Sequence, residues 1–347
     1  MTQRIRVLIA DDSPTVCNVL QAVLSEDPQI EVVGCAYDGL QALTKAKHLR
    51  PDVITMDVRM PELDGLEATA AIMAVAPARI VVVCSVGESE QQDLSFRAMA
   101  AGALEVIAKP AEGLGGSLRQ WGPRLAETVR LMSVVPVVTR RRVPPAGLRL
   151  RPISHGRVDA FGIVASTGGP PALETVIGAL PADLPIPIFV VQHITPGFTS
   201  GLVRWLDSVV SLSVKIAVHG EMPRAGAVYL PPDGHDLTLD AEGGVAIAPS
   251  TGSHSPSGDR LLSSLAKVYG TRAGAVVLTG MGDDGVAGLG EIRRAGGAAF
   301  AQDESTSVVF GMPRLAMESG AAERALPLNT ISGVIRDLCE LRRPEGR

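Results

Sequence analysis

Over the first 110 residues, short apolar runs at 5–10, 30–36, 52–57, 79–84 and 103–108 alternate with stretches whose apolar positions recur at helical spacing. Runs this short and this apolar predict strands covered on both faces, as in a parallel sheet. The first intervening helix shows the pattern. Ser13 stands as N-cap and Pro14 at N1, and Val16, Leu20, Val23 and Leu24 fall on one face. Right-handed crossovers then stack five βα units as one doubly wound sheet.

Residues 111–157 change character. Pro136, Pro144, Pro145 and Pro152 interrupt them, and the stretch 140–157 carries Arg140, Arg141, Arg142, Arg149, Arg151 and Arg157 with no acidic residue. This predicts an extension of the last helix followed by a linker. Its basic run reads as a solvated tether, with docking onto an acidic surface as the alternative. From residue 158 a second α/β pattern begins. VDAFGIVAS and IPIFVVQH read as strands, each followed by a Gly- or Pro-marked turn and a helix. VYLPP, a hairpin-like LTLDAEGGVAIAP, a helix from about 256, the strand GAVVLTG and the helix VAGLGEIRRAG follow. The expected architecture is a doubly wound, five-stranded parallel α/β domain over residues 1–122, a linker over 123–157, and a doubly wound, mostly parallel α/β domain over 158–347.

Composition narrows the classes. Hydrophobic residues make up 46% of the 347 residues and aromatics only 3%, so the cores are aliphatic. A net charge of -5 gives no whole-chain reason to expect nucleic acid or an anionic membrane as partner. Cys17, Cys35, Cys84 and Cys339 lack CxxC spacing and read as reduced cytosolic thiols. The N-terminal MTQRIRVLIADDS breaks into aspartates too early for a signal segment or a membrane span. The expected location is the cytoplasm, without membrane insertion.

Two groups of residues carry candidate chemistry. Asp11 and Asp12 end one apolar run, Asp57 ends another and Lys109 ends a third. At the carboxyl edge of one parallel sheet, three carboxylates and a lysine can hold a hard divalent cation such as Mg2+ through oxygen. They leave one carboxylate as nucleophile and one ammonium for a phosphoryl oxygen. In the second half, Ser166 closes a strand in VASTGGPPAL, His193 closes the next in VVQHITPGF, and Asp284 lies beyond a third in VVLTGMGDDGVAG. On parallel strands the three share one rim and can act as nucleophile, base and orienter. Each signal alone is weak, because a serine in STGG is more often a helix cap. The order Ser, His, Asp also matches no familiar hydrolase and has no GxSxG elbow. His254 in HSPSGD competes as a base but reads as a helix-start residue.

The first 110 or so residues resemble the response-regulator receiver domain, through DDS at 11–13, MDVRMPELDG around Asp57 and KP at 109–110. The remainder resembles the catalytic domain of the chemotaxis protein-glutamate methylesterase family. That likeness rests on ASTGGP at 165–170, QHITPGFT at 192–199, VYLPPDGHDLTL at 228–239, HSPSGD at 254–259, LTGMGDDGVAG at 278–288 and DESTSVVFGMP at 303–313. The resemblance implies that Ser166 attacks γ-methyl esters of glutamate on the cytoplasmic helices of chemoreceptors, with His193 as base and Asp284 as orienter. It implies oxyanion binding by backbone N–H groups at Met281 and Thr167, some glutamine deamidation, and no cofactor in this domain. It also implies phosphoryl transfer from a sensor histidine kinase to Asp57, with Mg2+ among Asp11, Asp12, Asp57 and the Arg59 carbonyl, and Lys109 answering the new charge. In such proteins the receiver covers the catalytic rim until it is phosphorylated.

Three positions depart from the family pattern. Cys84, followed by Ser85, stands where receivers carry Thr or Ser; Val106 stands where they carry an aromatic; and the strand before Ser166 reads IVAS rather than IGAS. Two other functions fit less of the chain. A non-catalytic binding output would need none of Ser166, His193 and Asp284, and a hydrolase for a small ester would need a closed apolar pocket.

Overall fold

The chain divides into two units, Met1–Arg141 and Arg142–Arg347. The computed structural model describes residues 4–85, 89–110, 118–135, 156–252 and 254–340. The arginines at 140, 141, 142, 149 and 151 that suggested a tether therefore lie outside the described residues.

In the first unit the strands are β1 (Ile5–Ala10), β2 (Ile30–Ala36), β3 (Val53–Met56), β4 (Arg79–Ser85) and β5 (Glu105–Lys109). They alternate with α1 (Pro14–Ser25), α2 (Gly39–Leu49), α3 (Gly65–Val75), α4 (Ser89–Ala101) and α5 (Leu118–Ser133). All strands pair in parallel in the order β2-β1-β3-β4-β5. α1 and α5 pack together on one face, and α2, α3 and α4 form a row on the other. Val7, Leu8, Ile9, Ile54 and Val81 are consequently sealed from water on both sides of the sheet. Ser13 caps α1, its hydroxyl accepting the Val16 N–H at 3.4 Å, with Pro14 in the first turn. The domain boundary expected at residue 122 falls inside α5, which continues to Ser133. Leu125, Val129 and Met132 bury one face of that helix, and this holds it to the first unit.

The second unit runs β6 (Ala160–Ala165), α6 (Gly169–Ile177), β7 (Ile188–Gln192), α7 (Thr199–Val209), β8 (Ser213–Ile216), β9 (Ala227–Leu230), β10 (His235–Leu239) and β11 (Val245–Pro249). It continues through α8 (Gly258–Tyr269), β12 (Ala273–Val277), α9 (Val286–Arg294), β13 (Ala298–Gln302), α10 (Met312–Glu318), β14 (Arg324–Leu326) and α11 (Leu328–Glu340). Seven strands form a parallel sheet in the order β14-β13-β12-β6-β7-β9-β8, while β10 and β11 make a separate antiparallel hairpin. α6, α7 and α11 cover one face and α8, α9 and α10 the other. The hairpin packs on α8, with Leu237, Leu239 and Val245 joining Leu261, Leu262 and Leu265 in the core. No helix among the described residues is long and apolar enough to cross a membrane.

Candidate functional site

β12, β6 and β7 are neighbours in the larger sheet, so their carboxyl ends meet. Ser166 follows β6, His193 follows β7, and Asp284 lies in the loop between β12 and α9. Backbone bonds tie these ends together. The Ser166 N–H donates to the Thr279 carbonyl at 3.0 Å and the His193 N–H to the Ala165 carbonyl at 2.9 Å. Gly280 makes the approach possible, because a Cβ there would lie 2.6 Å from Ser166 Cβ and 2.5 Å from Met312 Sδ.

His193 Nε2 lies 2.7 Å from Asp284 Oδ2. The Gly258 N–H donates to the same carboxylate at 2.5 Å, the Asp259 N–H at 3.0 Å and the Ser257 hydroxyl at 3.1 Å. Gly258 and Asp259 open α8, so their amides belong to the group that a helix leaves without internal partners, at its positive end. Burial pushes the Asp284 carboxyl up, but the bonds from His193, Asp259 and Gly258 outweigh it and hold the group down at about 2. With Nε2 committed to Asp284, Nδ1 is the other ring nitrogen of His193. Among the described residues the Ser166 hydroxyl makes no hydrogen bond, and no acceptor takes the Thr167 or Met281 N–H.

His254 does not start a helix. α8 begins at Gly258 with Ser257 as its cap, and the His254 ring instead stacks on His193, centroids 5.8 Å apart, with Nε2 3.9 Å from Asp283 Oδ1. Three residues of this rim escaped the sequence reading. Gln192 donates from Nε2 to both the Ser166 and His193 carbonyls at 2.8 Å. Thr279 donates to the Thr167 carbonyl at 3.0 Å, and Ser257 reaches Asp284. Gln192 and Thr279 carried a usable signal, a polar residue at the buried end of an apolar strand.

In the first unit, Asp11 and Asp57 are buried and Asp12 is exposed. Lys109 Nζ donates to Asp11 Oδ2 and to Asp57 Oδ1, both at 2.6 Å, and the Arg59 N–H donates to Asp57 Oδ2 at 3.1 Å. A Cβ on Gly65 would lie 2.0 Å from the Asp57 carbonyl oxygen, so the residue that starts α3 must be glycine to pass the acidic edge. Burial pushes the Asp57 carboxyl above its ordinary value and Asp11 adds to this, while Lys109 and the Arg59 N–H pull it back only in part. Burial works against the Lys109 charge, but Asp57 and Asp11 outweigh it and raise its pKa.

Among the described residues no group of three or more His, Cys, Asp or Glu side chains converges as metal ligands would. Asp11 and Asp57 nevertheless both reach one ammonium, and two buried carboxylates against a single cation leave negative charge uncompensated. That all-oxygen set fits a hard divalent ion. Cys84 is buried in β4, with Sγ 3.2 Å from the Ser95 hydroxyl of α4, and burial pushes its thiol up to about 11. Ser85 pairs in the sheet with Lys109, and its side chain lies outside the described residues. Val106 is buried.

The response regulator receiver domain family matches residues 7–114 and the CheB methylesterase family residues 161–335. A protein-glutamate methylesterase/protein-glutamine glutaminase 3 of Myxococcus xanthus is 54% identical over 347 residues, covering 99% of this chain and 97% of that protein. The corresponding protein of Thermotoga maritima is 40% identical over 94% of this chain and 96% of its own length. The crystal structure of the T. maritima CheB methylesterase catalytic domain covers 53% of this chain and 99% of that chain at 39% identity, with a TM-score of 0.49. With both domains matched in order and relatives aligned along nearly its whole length, the chain belongs to the chemotaxis protein-glutamate methylesterase family, a response-regulator receiver domain followed by a CheB methylesterase domain.

Proposed function

We propose that the protein hydrolyses γ-methyl esters of glutamate on the cytoplasmic helices of chemoreceptors, and deamidates glutamines there, under control of phosphorylation at Asp57. The observation that carries this reading is the 2.7 Å contact between His193 Nε2 and Asp284 Oδ2, which lie beyond the two strands, β7 and β12, that flank the one leading to Ser166. Ser166 Oγ attacks the ester carbonyl while His193 Nδ1 takes its proton, and Asp284 holds the ring and stabilises its cation. The N–H groups of Thr167 and Met281 receive the oxyanion, each donor contributing roughly 10²–10³ in rate. His193 returns the proton to the leaving methanol, and water, activated by the same imidazole, releases the carboxylate. The exposed Met281, next in sequence to the Gly280 that meets Ser166, supports an open rim suited to a helical substrate rather than a closed pocket.

In the receiver, a sensor histidine kinase supplies the phosphoryl group to Asp57. Asp11, Asp12, Asp57 and the Arg59 carbonyl would hold Mg2+, which offsets negative charge around the phosphoryl group. Phosphorylation adds about -1.5 to -2 charges, and Lys109, already shared by Asp11 and Asp57, is the cation placed to answer them.

Methanol release from methylated receptor membranes, with and without a small-molecule phosphodonor, tests the reading. Wild-type protein should release methanol, faster with the donor, and Ser166→Ala should lose on the order of 10⁶ in rate with an unchanged circular dichroism spectrum. A folded Ser166→Ala protein with the wild-type rate would refute the assignment.

A further inference from the structure

Behind Asp284 the contacts lead to a second buried carboxylate that the reaction above does not use. Asp236 of β10 is 1% exposed. Its Oδ1 accepts the Ser250 hydroxyl at 2.7 Å and the Ser257 N–H at 2.9 Å, and its Oδ2 accepts the Arg260 guanidinium at 2.7 Å. These donors bracket the segment that enters α8. Ser257 is the link: its N–H is held by Asp236, its hydroxyl accepts the Arg260 N–H at 3.3 Å to cap α8, and the same hydroxyl donates to Asp284 at 3.1 Å. Next to it, the Gly258 and Asp259 N–H groups supply the other backbone donors to Asp284. The first turn of α8 thus lies between two carboxylates, one that grips it and one that it grips.

A second route reaches the same imidazole. Ser250 and Ser257 stand at the two ends of the segment that carries His254, and both are fastened to Asp236 Oδ1. The His254 ring stacks on His193. A buried carboxylate is costly unless it is paired and fully hydrogen-bonded, and Asp236 meets that condition with donors from the two ends of this segment and from the first turn of α8.

We infer that Asp236 is a positioning residue for the His193–Asp284 pair. It fixes where Ser257, Gly258 and Asp259 present their donors, and so where Asp284 holds the ring. The inference rests on the reading of Ser166, His193 and Asp284 as one catalytic set. Displacements of about 1 Å at a reacting group can cost as much as 10²-fold in rate, so a modest slackening of this turn should register in turnover.

The test is Asp236→Asn in the full chain, which keeps the shape and removes the charge that Arg260 pairs with. We expect kcat per folded molecule to fall about tenfold, with KM within about twofold. We also expect the NMR resonance of the His193 Nε2 proton to move. A merely structural Asp236 would lower Tm but leave kcat and that resonance as in the wild type, and either of those two unchanged overturns the inference. Should Asp236→Asn fail to fold, Ser257→Gly carries the test. Glycine is tolerated at an N-cap, and this change removes the hydroxyl link to Asp284. Here a several-fold loss in kcat is expected, and wild-type turnover overturns the inference. Wild-type protein no faster than Ser166→Ala would refute the reading of the site itself and take this inference with it, whereas active wild type with an equally active Asp236→Asn refutes the inference alone.

Discussion

Asp57 and Asp284 both stand beyond the carboxyl end of a parallel strand and both are nearly closed to water, yet burial raises Asp57 above its ordinary value while Asp284 is held down at about 2. The difference lies in the donors. Asp284 receives an imidazole, a hydroxyl and two amides from the start of α8. Asp57 receives one backbone N–H and an ammonium that it shares with Asp11. A carboxylate wrapped in donors stays ionised and is a poor nucleophile, which suits an orienter. One that keeps unanswered charge can take a cation and a phosphoryl group. Equivalent positions in two similar sheets thus acquire different chemistry from the segments that happen to end beside them.

Replacing Asp284 should break the comparison most severely. Asp284→Asn keeps the shape but reverses a donor, and methanol release should fall by up to about 10⁴. The same variant tests the charge. A carboxyl lowered from 3.8 to about 2 by folding contributes stability that is complete above 3.8 and is lost as pH falls through about 2. Urea midpoints measured across that window should fall more steeply for wild type than for Asp284→Asn, and parallel curves would mean that the donors do not act on the folded state's charge.

Gly280→Ala comes next. The added Cβ would collide with Ser166 and Met312, and, on the proposed role of Ser166, a shift of its hydroxyl by a fraction of an ångström should lower kcat by up to about 10². A fully active Gly280→Ala enzyme would show that the close approach is dispensable. In the receiver, Asp57→Asn should reduce the ratio of phosphodonor-stimulated to basal rate to about one while leaving the basal rate intact, since only the added charge is prevented.

The smallest effect is expected at Cys84, whose thiol faces the Ser95 hydroxyl. A thiol donates a weaker hydrogen bond than a hydroxyl, and bonds to charged groups contribute about 1.5–3 kcal/mol. Cys84→Thr should therefore raise the activation ratio a few-fold at matched phosphorylation, and Ser85→Ala should lower it only if that serine supplies the hydroxyl instead. An unaltered ratio in Cys84→Thr would mean that Cys84 is a small buried packing residue.

The receiver strands were legible because each is an apolar run too short for a helix and bounded by polar residues. The same rule missed β8, β13 and β14. SVKI is four residues long, AAFAQ is rich in alanine and follows α9 after a short turn, and RAL has only three residues, so their strand character comes from pairing with neighbours rather than from local pattern. Ser166, His193 and Asp284 could be singled out as candidates because polar residues at the ends of neighbouring parallel strands share one rim, while their roles came from the family resemblance. His254 and Asp236 could not be placed in the same way. Their positions depend on how the β10–β11 hairpin lies against α8, a tertiary contact with no periodicity to betray it. The extension of the last helix was legible as such, but its end at Ser133 is set by Leu125, Val129 and Met132 burying one face of α5, a tertiary contact that the sequence does not spell out.

The outermost strands of the larger sheet, β8 and β14, are only four and three residues long. An open edge is a template on which another chain can add a strand, and the hazard grows with the length of unpaired backbone it offers. Here each border presents only a few peptide groups and carries a basic residue, Lys215 on one side and Arg324 on the other. Seven parallel strands can thus be assembled without inviting an eighth from a neighbouring molecule, and self-association through the sheet should stay weak even when the protein is concentrated.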